Sequence, residues 1–291
     1  MFRGVFTALV TPFDENGNVD EQTLRELVDF QIENGITGLV PTGTTGESPT
    51  LTHEEHNKVV KVVIDQANGR VPVIAGTGSN STQEAISMTR MAADAGADAT
   101  LQVTPYYNKP TQHALIQHFN AVANEGGLPV IVYNIKGRSG VNIETPTLLE
   151  MAENDNIIGV KEASGDISQM LDVVRSTPNE FSVLSGDDNL AVPLMLMGGN
   201  GLISVLSNIL PRETTNMINT ALEGNVKEAR ELHYHYMDLM KAMFIETNPV
   251  PVKAAMAMMG LITEKYRLPL APMTKQNHER LQRIMNAYQL I

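Results

Sequence analysis

The feature that most limits the fold of this chain is one pattern repeated eight times. A short apolar run ends in small or polar residues, and a segment with helical spacing follows it. The eight runs span residues 4–10, 38–41, 71–75, 99–103, 129–133, 157–161, 181–184 and 201–205. Several are apolar on both faces, which is typical of parallel strands covered by helices. Eight such units fit a closed barrel better than an open doubly wound sheet, so we predict an α/β fold, a (β/α)8 TIM barrel.

Three further helical stretches follow the eighth run, at residues 226–244, 251–261 and 275–288. No linker-like tract separates them from the repeats. We therefore predict a barrel of residues 1–224 that carries the active site, and an appended C-terminal helical region of residues 225–291. In such barrels the active site lies at the C-terminal ends of the strands.

The amino-acid composition argues against some classes of binding partner and excludes some catalytic groups. A formal net charge of −12 argues against a nucleic-acid partner, because such binding depends on surplus basic residues. The absence of cysteine excludes thiolate metal sites and cysteine nucleophiles. No apolar stretch approaches the roughly 18 residues that cross a bilayer, and residues 1–13 lack the regions of a signal peptide. We expect a cytoplasmic protein that does not contact membranes.

Lys161 is the most informative residue, because it ends the sixth apolar run and so lies at the active-site face of the barrel. Burial favours the neutral amine of a lysine, and a neutral amine attacks ketones to form an imine. The alternative is a lysine that extends to solvent or pairs with a carboxylate. Taken alone, the position leaves both interpretations open.

Three other strand ends carry polar groups. Tyr133 ends the fifth run, and Arg138 follows in a predicted loop; a tyrosine can relay protons and an arginine can bind a carboxylate with two hydrogen bonds. The glycine-rich turn after the second run contains Thr44 and Thr45, whose backbone N–H groups could approach an anion. Tyr107 and its neighbour Tyr106 end the fourth run, where packing at a rim is as good an explanation as catalysis.

One histidine pair could be mistaken for a metal site. His53 and His56 share a helix face, but they lack the i,i+4 spacing of the zinc protease motif. Thr52 is suited to an N-cap, and Glu54 and Glu55 suit the first turn of a helix. These features predict an ordinary helix start and no metal.

Taken together, these motifs resemble the dihydrodipicolinate synthase and N-acetylneuraminate lyase superfamily. The resemblance rests on Gly43-Thr44-Thr45-Gly46-Glu47, Tyr106-Tyr107-Asn108-Lys109-Pro110, Tyr133-Asn134 with Arg138, and Ile158-Gly159-Val160-Lys161-Glu162. It extends from Val10-Thr11-Pro12-Phe13 through Leu184-Ser185-Gly186-Asp187-Asp188 to Asn248-Pro249-Val250-Pro251-Val252-Lys253. The tyrosine pair and the arginine resemble the synthase branch, which joins pyruvate to L-aspartate 4-semialdehyde in the diaminopimelate route to L-lysine.

The resemblance implies a role for each matching residue, without a metal or an organic cofactor. Lys161 forms an imine with pyruvate, and Tyr133, Thr44 and Tyr107 relay protons, with Tyr107 reaching across a subunit interface. Further binding roles are implied for Thr45 at the pyruvate carboxylate, Arg138 at the semialdehyde carboxylate, and Gly186 and Ile203 at the pocket wall. A homotetramer built from tight dimers is also implied.

The same resemblance implies feedback inhibition by L-lysine. In synthases that L-lysine inhibits, the effector lies at a dimer interface, and the matching residues are all present here: Ser48, His53, His56, Asn80, Glu84 and Tyr106. Glu84 and His56 would supply the polar contacts to the effector.

The sequence departs from the family pattern at one position, and two other functions stay open. Lys136 stands where the family usually has proline before the arginine, which predicts a looser loop around Arg138. One alternative is an aldolase of the same superfamily that acts on a sugar-derived 2-keto acid, since specificity depends on loops. The other is a non-catalytic module that binds pyruvate or lysine; an intact set of relay residues argues against it.

Overall fold

The computed structural model describes all 291 residues, and its centre is an eight-stranded parallel sheet. The strands are β1 (Gly4–Ala8), β2 (Gly38–Val40), β3 (Ile74–Gly76), β4 (Ala99–Val103), β5 (Val130–Asn134), β6 (Ile157–Glu162), β7 (Ser182–Ser185) and β8 (Gly201–Ser204). Their order is β2-β1-β8-β7-β6-β5-β4-β3, so the first and last positions belong to consecutive strands. The two edges meet where Leu39 bridges Val73 in parallel and its amide donates to the Pro72 carbonyl. The predicted (β/α)8 barrel is confirmed.

Twelve helices surround and extend the barrel. They are α1 (Glu21–Glu33), α2 (His53–Ala67), α3 (Thr82–Ala95), α4 (Gln112–Glu125), α5 (Lys136–Ser139), α6 (Thr145–Met151), α7 (Ile167–Ser176), α8 (Asp188–Leu196), α9 (Pro211–Leu222), α10 (Val226–Ala242), α11 (Val250–Met258) and α12 (Lys275–Ala287). Short 3-10 turns lie at Ser48–Thr50 and Leu206–Asn208. No helix combines the length and the apolar character that crossing a membrane requires.

The pleat of the strands divides the apolar residues into two cores. A cluster inside the barrel includes Phe6, Ile131, Tyr133, Leu184 and Ile203. A much larger cluster lies between the strands and the helices, and strand residues of the opposite parity supply its inner side. Successive side chains on a strand point to opposite faces, so runs that are apolar throughout serve both cores.

The C-terminal helices pack against the barrel rather than standing apart from it. Helix α11 carries Lys253, which is fully buried against Glu47 of the loop after β2. The carbonyl of Asn248, just before that helix, accepts a hydrogen bond from Arg138 after β5. The division of the chain at residue 224 stays a prediction, but these contacts bring the helical region to the active-site face.

Candidate active site

Lys161 and Tyr133 are neighbours across two strands inside the barrel. The register of β5 and β6 pairs Tyr133 with Lys161, so both side chains point to the same face. Lys161 Nζ lies 4.2 Å from the centre of the Tyr133 ring. Both side chains are buried, with 6% of each residue exposed. The sheet register therefore places an amine beside a phenol in a site largely closed to water.

Burial changes the ionisation of both groups. Desolvation lowers the pKa of Lys161 to about 8, while the Asp187 and Asp188 carboxylates act in the opposite direction. Burial raises the pKa of Tyr133, and the Thr44 side chain partly opposes this by hydrogen bonding to the phenol. No carboxylate lies within ion-pair distance of Lys161 Nζ. The lysine is thus a buried amine poised to lose its proton near neutral pH.

Gly186 allows the loop after β7 to approach this lysine closely. A Cβ atom added to Gly186 would lie 2.6 Å from Ala163 Cβ and 3.0 Å from Lys161 Cε. Both distances are shorter than normal carbon contacts. A side chain at residue 186 would therefore displace the amine. Ile203, the other predicted wall residue, is fully buried in the inner core and lines neither cavity described below.

The turn after β2 offers backbone donors to an anion. Thr42 and Glu47, at its two ends, both have a φ of 54°, which curls the chain tightly. Within the turn the amides of Gly46 and Glu47 donate to the carbonyls of Gly43 and Thr44. The amides of Thr44 and Thr45 donate to no group in the protein. Two adjacent free N–H groups can bind a carboxylate of a ligand.

Arg138 lies in a short helix, α5, and not in the loop that its neighbouring glycines predicted. Its Nη2 donates to the Asn248 carbonyl at 3.1 Å, and the Asn248 side chain donates to Thr45 Oγ1 at 3.0 Å. Asn248 thus joins the arginine to the turn after β2. The role of this asparagine was not predicted, because its partners are distant in the sequence.

Two connected cavities open at this face. The inner cavity, of about 40 Å³, is lined by Thr44, Thr45, Tyr133, Arg138, Lys161, Gly186, Asp187 and Asn248 among others. The outer cavity, of about 400 Å³, shares Thr44, Tyr133 and Arg138 with it and continues to Ser48, His53, His56, Glu84 and Tyr106. The two cavities share lining residues, and most of the residues predicted for catalysis and for lysine binding line one or the other.

Two of the predicted effector residues, His53 and Glu84, are hydrogen-bonded to each other at the outer cavity. His53 Nε2 lies 2.9 Å from Glu84 Oε1, and Ser79 donates to the same carboxylate. His56 Nε2 lies 2.8 Å from the Gly76 carbonyl, so that nitrogen carries the proton. Its Nδ1 is buried without a partner, and burial lowers the pKa of the ring. A buried acceptor beside a carboxylate suits a cationic ligand.

Asn80 and Tyr107 stand apart from the cavities. The Asn80 side chain donates to the Tyr106 carbonyl at 3.2 Å but does not line the outer cavity. Tyr107 is 90% exposed at a φ of 72°, and it lines neither cavity. Within one chain, the structure does not bring Tyr107 together with the other proposed relay residues.

Comparisons with known proteins point to one family. The family model described as the dihydrodipicolinate synthetase family matches residues 1–288. The 4-hydroxy-tetrahydrodipicolinate synthase of Syntrophus aciditrophicus (strain SB) is 53% identical over 291 residues, with both chains fully covered.

Three solved structures are similar over nearly their whole length. A chloride-inhibited dihydrodipicolinate synthase from Acinetobacter baumannii, complexed with pyruvate, is 44% identical with a TM-score of 0.98, and both chains are fully covered. A lysine-bound enzyme from Cyanidioschyzon merolae is 43% identical with a TM-score of 0.97, covering 100% of this chain and 99% of the other. A variant described as the first monomeric dihydrodipicolinate synthase is 41% identical with a TM-score of 0.97, covering 100% and 98%.

Proposed function

The chain belongs to the dihydrodipicolinate synthetase family, and from this premise we propose that it condenses pyruvate with L-aspartate 4-semialdehyde through an imine on Lys161. The activity is that of a 4-hydroxy-tetrahydrodipicolinate synthase, a lyase. The observation that carries the assignment of Lys161 is its environment: a buried amine with a lowered pKa, beside Tyr133 and without a carboxylate partner. A neutral amine is the form that attacks a ketone.

The proposed first step is imine formation with pyruvate. The free amides of Thr44 and Thr45 bind the pyruvate carboxylate, which directs the keto carbon towards Lys161. Tyr133 gives a proton to the oxygen that leaves as water, and it later takes one from the methyl carbon. The imine withdraws electrons, so loss of this proton converts it to an enamine. The former methyl carbon of the enamine attacks the aldehyde carbon, and the aldehyde oxygen takes the proton back from Tyr133 to become a hydroxyl group.

Arg138 is proposed to bind the carboxylate of the semialdehyde. It lies at the mouth of the inner cavity and is held by the Asn248 carbonyl through one Nη2 hydrogen bond. The remaining guanidinium donors are available for a bidentate contact to a carboxylate. This contact orients the aldehyde towards the enamine.

Tyr107 is proposed to complete the proton relay in a neighbouring copy of the chain, within a homotetramer of tight dimers. The support is its position: the side chain is 90% exposed on a strained backbone, away from its own chain's cavity. We expect specific activity to fall on dilution as the assembly dissociates. Light scattering measured alongside activity checks this, and full activity in a monomer would reject the shared relay.

L-lysine is proposed as a feedback inhibitor bound in the outer cavity. Glu84 offers a carboxylate to its ammonium groups, and the unpaired Nδ1 of His56 offers an acceptor. Calorimetry should show binding by the wild type and weakened binding by Glu84→Gln. Absence of lysine binding at millimolar concentrations would reject this proposal without affecting the imine mechanism.

The decisive experiment is intact mass measurement after borohydride reduction with pyruvate. The wild type should gain one reduced pyruvyl group, and Lys161→Ala should gain none. A coupled assay then tests consumption of the semialdehyde. An adduct without turnover would indicate a different aldehyde substrate, and no adduct on the wild type would remove the imine mechanism.

A further inference from the structure

Two adjacent carboxylates after β7 are held in different ways. Asp188 is fully buried, and it accepts hydrogen bonds from Ser204 Oγ at 2.5 Å and from the amides of Val205 and Leu206. Asp187 occupies the N-cap position of α8, where an aspartate side chain usually accepts from an amide of the first turn. Here it makes no such cap hydrogen bond. The Asp188 carboxylate is therefore hydrogen-bonded to the protein, whereas the Asp187 carboxylate does not make the cap hydrogen bond that its position predicts.

The free carboxylate of Asp187 lines the inner cavity opposite two cations. Lys161 and Arg138 line the same space. The side-chain oxygens of Asp187 take part in no hydrogen bond, since only its backbone bonds to Ser185. Burial raises its pKa to about 6, and Lys161 acts to lower it. Asp187 is the one ionisable group of this cavity to which the mechanism above gives no task.

The second substrate has one group that lacks a partner in that mechanism. Its carboxylate is assigned to Arg138, and its aldehyde to the enamine. Its α-ammonium group is assigned to nothing. Ring closure needs that nitrogen as a free amine, because an ammonium group has no lone pair with which to attack the imine carbon. A base that lines the same cavity as Lys161 and Arg138 would meet this need.

We propose that Asp187 binds the α-ammonium group of the second substrate and acts as the base for ring closure. This inference rests on the function proposed above. The same carboxylate serves first as a counter-ion and then as a proton acceptor. When the ring forms, the substrate nitrogen and Lys161 Nζ are bonded to the same carbon, so a carboxylate that reaches one nitrogen also reaches the other.

The proton transfers balance without any further reactant. Asp187 takes a proton from the substrate ammonium, and the amine forms a C–N bond to the carbon of the protonated imine. This bond closes the ring, and the electron pair of the C=N π bond moves onto Lys161 Nζ. Asp187 then gives that proton to Lys161 Nζ and takes one from the newly bonded substrate nitrogen. The C–N bond to Lys161 breaks, and the lysine leaves as a neutral amine with the electron pair. The lone pair of the substrate nitrogen forms a C=N bond, so the ring product is an iminium ion. The proton left on Asp187 returns to solvent.

The test compares Asp187→Asn with Asp172→Asn, an exposed aspartate of α7 that pairs with Arg175. With pyruvate alone, borohydride should trap the pyruvyl adduct on both variants, which shows an intact barrel and a working Lys161. With both substrates, Asp187→Asn should accumulate an adduct that carries pyruvate and semialdehyde together. Its kcat should fall by at least about a hundredfold, the usual contribution of a general base. Asp172→Asn should match the wild type.

Two readouts separate a base from a structural residue. The wild-type kcat should decrease as the pH falls below about 6, where Asp187 takes up a proton, and this decrease should be absent in Asp187→Asn. Formate should restore part of the activity of Asp187→Ala. Wild-type kcat in Asp187→Asn, or an adduct of pyruvate only with both substrates, would overturn the proposal. Absence of any pyruvyl adduct on the wild type after borohydride reduction would instead overturn the proposed function.

Discussion

Lys161 and Lys253 are both buried lysines near the same face of the barrel, yet they do different work. Lys253 is fully buried, and its Nζ lies 2.5 Å from Glu47 Oε1. Lys161 is 6% exposed and has no carboxylate within ion-pair distance. Burial lowers the pKa of both, but only Lys253 has a hydrogen-bonded carboxylate that opposes this shift by favouring the charged form. Burial alone therefore does not distinguish the two lysines, whereas the absence of a carboxylate partner favours the neutral amine that the proposed mechanism needs at Lys161.

The ion pair of Lys253 and Glu47 also supports the turn after β2, which lines the candidate active site. Glu47 ends the turn that presents the free amides of Thr44 and Thr45, and it holds a left-handed φ of 54°. Arg267 continues the network, with Nη2 2.6 Å from Glu55 Oε1 in α2. Lys253 and Arg267 both lie over the Phe13 ring, at 4.3 and 4.4 Å. The C-terminal region thus fixes the turn on which pyruvate binding is proposed to depend.

The largest expected effect is on stability, from Lys253→Met. Removing one partner of a buried ion pair leaves the Glu47 carboxylate buried and unpaired, which typically costs about 3–5 kcal/mol. Denaturant unfolding should show this loss. The matched double variant Glu47→Leu with Lys253→Met should recover most of it, because no charge then remains unpaired. A single variant as stable as the wild type would show that the pair contributes little.

Lys161→Met should have the opposite effect on stability while abolishing the pyruvyl adduct. Burial lowers the folded-state pKa of Lys161 to about 8, below the ordinary lysine value of 10.5. Below pH 8 Lys161 is protonated in both the folded and the unfolded protein, so the folded protein is destabilised by the full desolvation of the buried ammonium group. Between about 8 and 10.5 the unfolded state binds more protons, so wild-type stability rises with pH.

At pH 7 the methionine variant should therefore be the more stable protein, by up to about 3 kcal/mol. That advantage should shrink as the pH approaches 10.5. Denaturant unfolding of both proteins across this range measures it. A constant difference at every pH would mean that packing, and not the desolvated charge, separates the two proteins.

The contrast between the two lysines also shows what the sequence could and could not predict. Lys161 was identified from its place at the end of an apolar run, because the barrel places strand ends at one face. Lys253 was not, because its partner lies 206 residues away and no local pattern records the pairing. The free carboxylate of Asp187 was missed for a related reason: its position predicts a helix cap.

Strand positions were predicted better than the short elements between them. Strand β4 matches its predicted range, whereas β3 begins three residues later than predicted, at Ile74. Pro72 explains the difference, because proline has no N–H for a strand ladder. The capping box of α2 at Thr52 and Glu55 confirms the predicted helix start. Helix α5 was not predicted, since it is four residues long and contains Gly137.

The smallest expected effect comes from Lys136→Pro, which restores the residue that the family usually has before the arginine. Lys136 is the first residue of α5, a position where proline is favoured because that amide has no acceptor within the helix. Restricting φ there should stabilise the loop by about 0.4–1 kcal/mol. Because the same segment carries Arg138, the KM for the semialdehyde should fall by roughly two- to fivefold.

Lys136→Ala is the matched control, since it removes the exposed cation without fixing φ. Steady-state kinetics with each substrate varied in turn should show the KM for pyruvate unchanged in both variants, because the proposed pyruvate contacts lie on the turn after β2. If alanine lowers the KM for the semialdehyde as much as proline does, the charge of Lys136 is the cause. If neither variant changes it, the hydrogen bond from Arg138 to Asn248 already fixes the guanidinium, and the rigidity of α5 contributes nothing to substrate binding.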